Sequence, residues 1–233
     1  MSGVLYGVGL GPGDPELMTV KAARLVAGAQ VVAYPAPVGG ASFVRSIAAG
    51  LIGADVREIV IAVPMNGARG PAQAAYDRGA AAIGEALRGG DDVVCLCEGD
   101  PFFYGSFMYL FARLRDEFRI EVVPGVSSIH AGAARARLPL VARNEALTVL
   151  AAPLAADELR RRIKVADSVV IMKLGRHLAK VRGVIAEMGL IGQAVYLARI
   201  GLADEVVCPL AAAPAAAPYF SMILLNKGGD VWL

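Results

Sequence analysis

The chain has 233 residues, of which 56% are hydrophobic, 19% charged and 6% aromatic, with a formal net charge of +2. That much apolar surface excludes disorder, and at this size roughly 70% of the unfolded surface is buried on folding, so no disulfide or metal staple is required. The near-neutral balance lacks the basic stripe of a nucleic-acid binder, yet it conceals an asymmetry: residues 1–123 hold 10 Lys and Arg against 13 Asp and Glu, and residues 124–233 hold 13 against 8.

Apolar runs of strand length fall at 4–8, 31–34, 58–63, 92–97, 120–123, 147–150, 168–172, 195–198 and 220–225. Helical stretches lie between them near 19–28, 42–52, 71–88, 105–117, 127–136, 156–165 and 177–188. Thr19, Ser42 and Ser127 announce three of these as caps, and Pro71 suits a first turn. Strand and helix in alternation predict an α/β fold with helices over both sheet faces. Nine strands are generous for one sheet, and the charge balance changes near residue 123. The expectation is therefore two α/β domains, 1–123 and 124–233, with a cleft between them. Segment 211–218, built of Ala and Pro alone, reads as an ordered surface loop.

Two uncharged stretches, 25–44 and 206–225, have the 20 residues of a bilayer span. Pro35 and Pro37 in the first, and Pro209, Pro214 and Pro218 in the second, remove backbone donors that lipid cannot replace, so no membrane partner is expected. No Lys or Arg precedes Lys21, which argues against a secretory signal and for a cytoplasmic protein. Cys95, Cys97 and Cys208 form an odd set without metal spacing and read as buried, inert thiols.

Three loops carry the chemistry. The first, GLGPGDPELMT over 9–19, follows a strand and precedes a helix. A dinucleotide fingerprint is the first comparison, but the third glycine comes one place early, Pro12 has no N–H, and Asp14 puts a carboxylate where phosphates would sit. No acidic residue stands between Glu16 and Asp55 to hold a ribose. A cationic or neutral ligand suits this turn better; a tight turn without a ligand is the competing reading. The second loop, EGDPFFYGS over 98–106, follows strand 92–97, and Pro101 forces the chain out of the sheet where ligands gather in α/β folds. The third, PGVSS over 124–128, presents Ser127 and Ser128 at a helix start, where simple capping is the alternative.

Together these loops resemble the tetrapyrrole (corrin/porphyrin) methylase family, whose pattern joins a GxGPGDPELxT opening, a mid-chain GDP tripeptide and a PGxxS turn. The phrases GDPFFYGSFMYL (99–110), MKLGR (172–176) and PYFSM (218–222) resemble the branch that methylates carbon 20 of precorrin-2 on the route to vitamin B12. The resemblance implies two α/β domains, a homodimer, and S-adenosylmethionine as donor. Carried over by position, the donor would be bound by Pro12, Gly99, Asp100, Pro101, Tyr104, Ser127, Ser128, Met172, Ala198 and Ser221. A sulfonium donor without phosphates agrees with the loop argument.

The implied reaction moves a methyl group from sulfonium to an electron-rich meso carbon, chiefly by positioning. No catalytic acid or base can be picked out, and His130 reads as packed or capping. A substrate bearing eight carboxylates asks for cations, Arg above all. Lys173 and Arg176, in the loop after strand 168–172, and Arg69 are the candidates, while Lys180, Arg182 and the 160–164 run read as solvated helix faces. A cobalt-loaded substrate of the anaerobic route and a non-catalytic tetrapyrrole-binding protein are the alternatives; metal would enter with the substrate, not through protein ligands.

Overall fold

The computed structural model describes residues 2–64 and 69–228, with the Arg69 side chain outside the described residues. The chain divides into two compact units, Met1–Ser127 and Ser128–Leu233, so the division falls at the start of a helix and not at the 123–125 turn.

The first unit holds a parallel sheet of β1 (Leu5–Gly9), β2 (Val31–Pro37), β3 (Arg57–Val63), β4 (Val93–Cys97) and β5 (Ile120–Val123), in the order β3-β2-β4-β1-β5. Its helices are α1 (Val20–Ala27), α2 (Phe43–Ile47), α3 (Arg69–Arg88) and α4 (Phe107–Leu114). All five residues of β4 are buried, because both faces of the sheet are covered. Val94 and Leu96 pack with Val26 of α1 and Val44 of α2, while Cys95 and Cys97 pack with Ile83 of α3 and Phe107 of α4. The thiols are thus small core side chains.

The crossovers leaving β1 and β2 run one way across the sheet, and those leaving β3 and β4 run the other. Right-handed connections then place α1 and α2 on one face and α3 and α4 on the opposite face. The adjacent strands β4 and β1 therefore send the chain to opposite sides. Their carboxyl ends form a topological switch point, where a crevice for ligands opens in such sheets.

The second unit is a mixed sheet of β6 (Leu147–Ala151), β7 (Ser168–Met172), β8 (Ala194–Ala198), β9 (Val206–Pro209) and β10 (Ser221–Asn226), in the order β6-β7-β10-β8-β9. β10 runs antiparallel to both neighbours. Helices α5 (Ser128–Ala136), α6 (Ala156–Val165) and α7 (Leu178–Glu187) complete it. β9 is the strand that the apolar pattern did not separate. It is four residues long, lies on an exposed edge, and ends in a proline that only an edge tolerates. Among the described residues no helix is long and apolar enough to cross a membrane.

Two cations expected on a solvated helix face are structural instead. Lys180 Nζ donates to the Ala152 carbonyl at 2.6 Å and also to that of Leu154. Arg182 Nη2 donates to the carbonyls of Ala211 at 3.1 Å and Ala213 at 2.9 Å, ordering the Ala/Pro segment. The 160–164 run does lie on a solvated face: Arg161 and Arg162 flank Glu158 and pull its carboxyl down to about 2.

Candidate functional site

The loops after β1, β4 and β5 meet backbone to backbone at the switch point. Gly11 and Gly99 form an antiparallel bridge, with Gly99 N donating to Gly11 O at 2.8 Å and Gly11 N to Gly99 O at 3.3 Å. Gly99 has φ +60°, a left-handed conformation that glycine adopts without a Cβ penalty. A Cβ on Gly125 would lie 2.0 Å from Gly99 O and 2.8 Å from Gly9 Cα, so only a hydrogen lets the third loop close on the other two.

Asp100 staples this junction. Its Oδ1 accepts the Phe102 N–H at 2.9 Å and its Oδ2 accepts the Gly125 N–H at 3.1 Å. Pro101 is buried and turns the chain out of the sheet. Tyr104 follows at φ +56°, its ring edge-on to Phe103 with centroids 5.2 Å apart. Pro12 lies half-buried in the first loop. Asp14 acts within its own loop, where its carboxylate accepts the Glu16 N–H at 2.9 Å and caps a short 3₁₀ turn, Pro15–Leu17, before α1 begins. The glycine loop therefore does not run straight into a helix N-terminus, which removes the geometry that cradles phosphate. Ser127 is buried, and Ser128 is the first residue of α5.

In the second unit the register of β7, β10 and β8 sets Met172 opposite Met222 and Ala198 opposite Ser221. Met172, Ser221 and Ala198 thus occupy one end of three adjacent strands. The Ser221 hydroxyl donates to Pro218 O at 2.6 Å, closing the approach to β10. Lys173 and Arg199, the residues following β7 and β8, adopt φ +60° and +53°. Strained conformations of this kind, outside glycine, cluster at functional sites. Arg199, which pairs with Asp204, was not singled out by the sequence, because no residue type announces such a conformation here. Arg176 is exposed in the 3₁₀ turn Gly175–His177. Burial, and then the charges of Lys180 and Arg176, push the His177 imidazole below its ordinary range, leaving the basic character of this loop to its lysine and arginine. His130 is exposed on α5, not packed away. The Arg69 side chain, a predicted substrate contact, falls outside the described residues.

The chain matches, over residues 4–214, the family described as Tetrapyrrole (Corrin/Porphyrin) Methylases. It is 40% identical over 243 residues to precorrin-2 C(20)-methyltransferase of a Sinorhizobium species, covering 99% of each chain. It is also 40% identical to cobalamin biosynthesis protein CobIJ of Mycobacterium tuberculosis, where 97% of this chain aligns with 46% of that protein; the chain spans about half the length of this relative. Among solved structures, the cobalt precorrin-4 methyltransferase CbiF superposes with a TM-score of 0.76 at 25% identity, over 96% of this chain and 94% of that one.

Proposed function

We propose, for a chain that belongs to the tetrapyrrole (corrin/porphyrin) methylases, that it transfers a methyl group from S-adenosylmethionine to carbon 20 of precorrin-2, giving precorrin-3A in cobalamin biosynthesis. The observation that carries this reading is the near full-length identity to the precorrin-2 C(20)-methyltransferase relative, together with a three-loop junction at the switch point of a parallel sheet. That junction suits a donor of this kind: its backbone crowds out side chains at Gly125, and Asp14 and Asp100 leave no vacancy for phosphate charge. The reading also assigns the protein to a homodimer, as the family resemblance implies, and to the cytoplasm.

The donor supplies, when bound, an electrophilic methyl group on a sulfonium. Pro12, Gly99, Asp100, Pro101, Tyr104, Ser127, Ser128, Met172, Ala198 and Ser221 are the residues assigned to hold it. Their contribution is orientation, for which effective molarities of roughly 10⁵–10⁸ M set the scale. Lys173 and Arg176, with Arg69, are assigned to the carboxylates of the substrate.

The test is incubation with labelled donor and precorrin-2, with and without cobalt, followed by mass spectrometry and NMR of the product. Label on carbon 20 is expected; label on another carbon, or on neither tetrapyrrole, overturns the assignment. Calorimetric titration with the donor separates an enzyme from a carrier, since absence of micromolar binding removes the methyltransferase reading. Arg176→Ala is expected to raise the KM for the tetrapyrrole about tenfold, the scale of one lost charge-assisted contact, while leaving donor affinity unchanged. The opposite pattern would mean that the basic loop serves the donor. Sedimentation of the intact chain tests the homodimer.

A further inference from the structure

We propose that the carboxylate of Glu98 is the base that takes the proton from the carbon being methylated, a role that rests on the reaction proposed above. Methylation of a meso carbon that bears hydrogen leaves one proton too many. The new carbon–carbon bond forms as the sulfur–methyl bond breaks, the electron pair going to sulfur and the positive charge to the macrocycle. The C–H bond then breaks, its electron pair restores the conjugated ring system, and the proton goes to Glu98 and afterwards to water.

The chain has two histidines, His130 and His177, both in the second unit. Glu98 belongs to the first unit, directly between the last residue of β4 and Gly99, at the switch point itself. Its place in space is fixed from the far side, because Gly99 is hydrogen-bonded to Gly11 in both directions. The side chain is partly buried. The Tyr76 phenol and the Cys97 thiol are both pushed up by burial first and, among lesser causes, by the Glu98 charge. Loss of water pushes the Glu98 carboxyl above its ordinary range.

Other carboxylates of the same unit are treated differently. Glu58 is gripped by Arg45 at 2.8 and 3.1 Å, Glu121 pairs with Lys21, and both are held below the ordinary range. Among the described residues no ion pair involves Glu98. A carboxylate that is desolvated and not neutralised by a cation is a stronger base than one in water, which is the tuning a general base needs near neutral pH.

The experiment compares the unmutated chain with Glu98→Gln and Glu98→Asp. The parent should lose kcat as pH falls through the raised carboxyl range. E98Q should keep its donor affinity, lose kcat by roughly 10²-fold or more, lose that acidic limb, and show a larger isotope effect with substrate deuterated at carbon 20. E98D should keep the limb at a lower rate. A second readout needs no turnover: a carboxyl whose pKa is raised on folding favours the folded state only while protonated, so the Tm of E98Q relative to the parent should improve as pH rises and converge as pH falls below the ordinary glutamate range. Equal rates and identical pH limbs in E98Q and parent, or a Tm difference running the other way with pH, would overturn the role. Absence of methyl transfer by the unmutated chain would instead overturn the reaction, and this role with it.

Discussion

Gly125→Ala should lose donor binding and much of its stability together. The new methyl carbon would sit 2.0 Å from the Gly99 carbonyl oxygen and 2.8 Å from Gly9 Cα, and both obstacles are backbone. No rotamer change relieves such a contact; the turn after β5 must lift off the Gly99 loop. Lifting it also stretches the 3.1 Å bond from Gly125 N to Asp100, so steric cost and a lost charge-assisted hydrogen bond act in the same direction. Overpacking costs about 1–3 kcal/mol and occasionally more, and the broken bond adds about 1.5 kcal/mol or more. Since each kcal/mol moves Tm by roughly 2–4 °C in a chain of this length, calorimetry should record a fall of roughly 5–15 °C. Gly183→Ala in α7 is the matched control, because nothing lies within 4 Å of its added carbon; it should raise stability by about 0.5–1 kcal/mol. A G125A protein as stable as its parent would mean that the three loops are not in contact in solution.

How the fold was legible follows from the same residues. β4 reads as an unbroken apolar run because helices cover both its faces, and Thr19 and Ser42 mark their helices because each hydroxyl accepts a backbone N–H, from Ala22 and Arg45 respectively. β9 escaped because four edge residues ending in Pro209 make neither an alternating nor a buried pattern. The GDP tripeptide was legible for a local reason, since Asp-Pro dictates an exit from the sheet, whereas the partner of its carboxylate, Gly125, stands 25 residues away. Left-handed Lys173 and Arg199 carry no residue signature at all. Lys180 and Arg182 misled in the opposite sense: charge on a helix normally means solvent, and here the two side chains reach carbonyls 26–31 positions distant.

Asp100→Asn separates two roles that a carboxylate beside a sulfonium donor can play. As a counter-ion, Asp100 would attract the charged donor directly. As a staple, it holds the loops that shape the site, and its oxygens are already occupied by the Phe102 and Gly125 N–H groups at 2.9 and 3.1 Å. Asparagine keeps one acceptor but turns an NH₂ group toward the second N–H, placing donor against donor. The cost is about 1.5–3 kcal/mol, expected as a loss of donor affinity of roughly 10- to 100-fold. The two roles divide on the product: S-adenosylhomocysteine has a neutral sulfide, so loss of a counter-ion would spare it, whereas a displaced loop weakens both ligands equally. Calorimetric titration of D100N should give the same fold-loss for both, with little dependence on salt. A loss confined to the charged donor, and fading as salt is added, would make Asp100 the counter-ion and leave the junction of Gly9, Gly99 and Gly125 to be held by packing alone. Because Asp100 and Gly125 act on one contact, the double variant D100N/G125A should fall short of the sum of its parts by about 0.5–3 kcal/mol, and strict additivity would deny that the staple and the close approach are the same device.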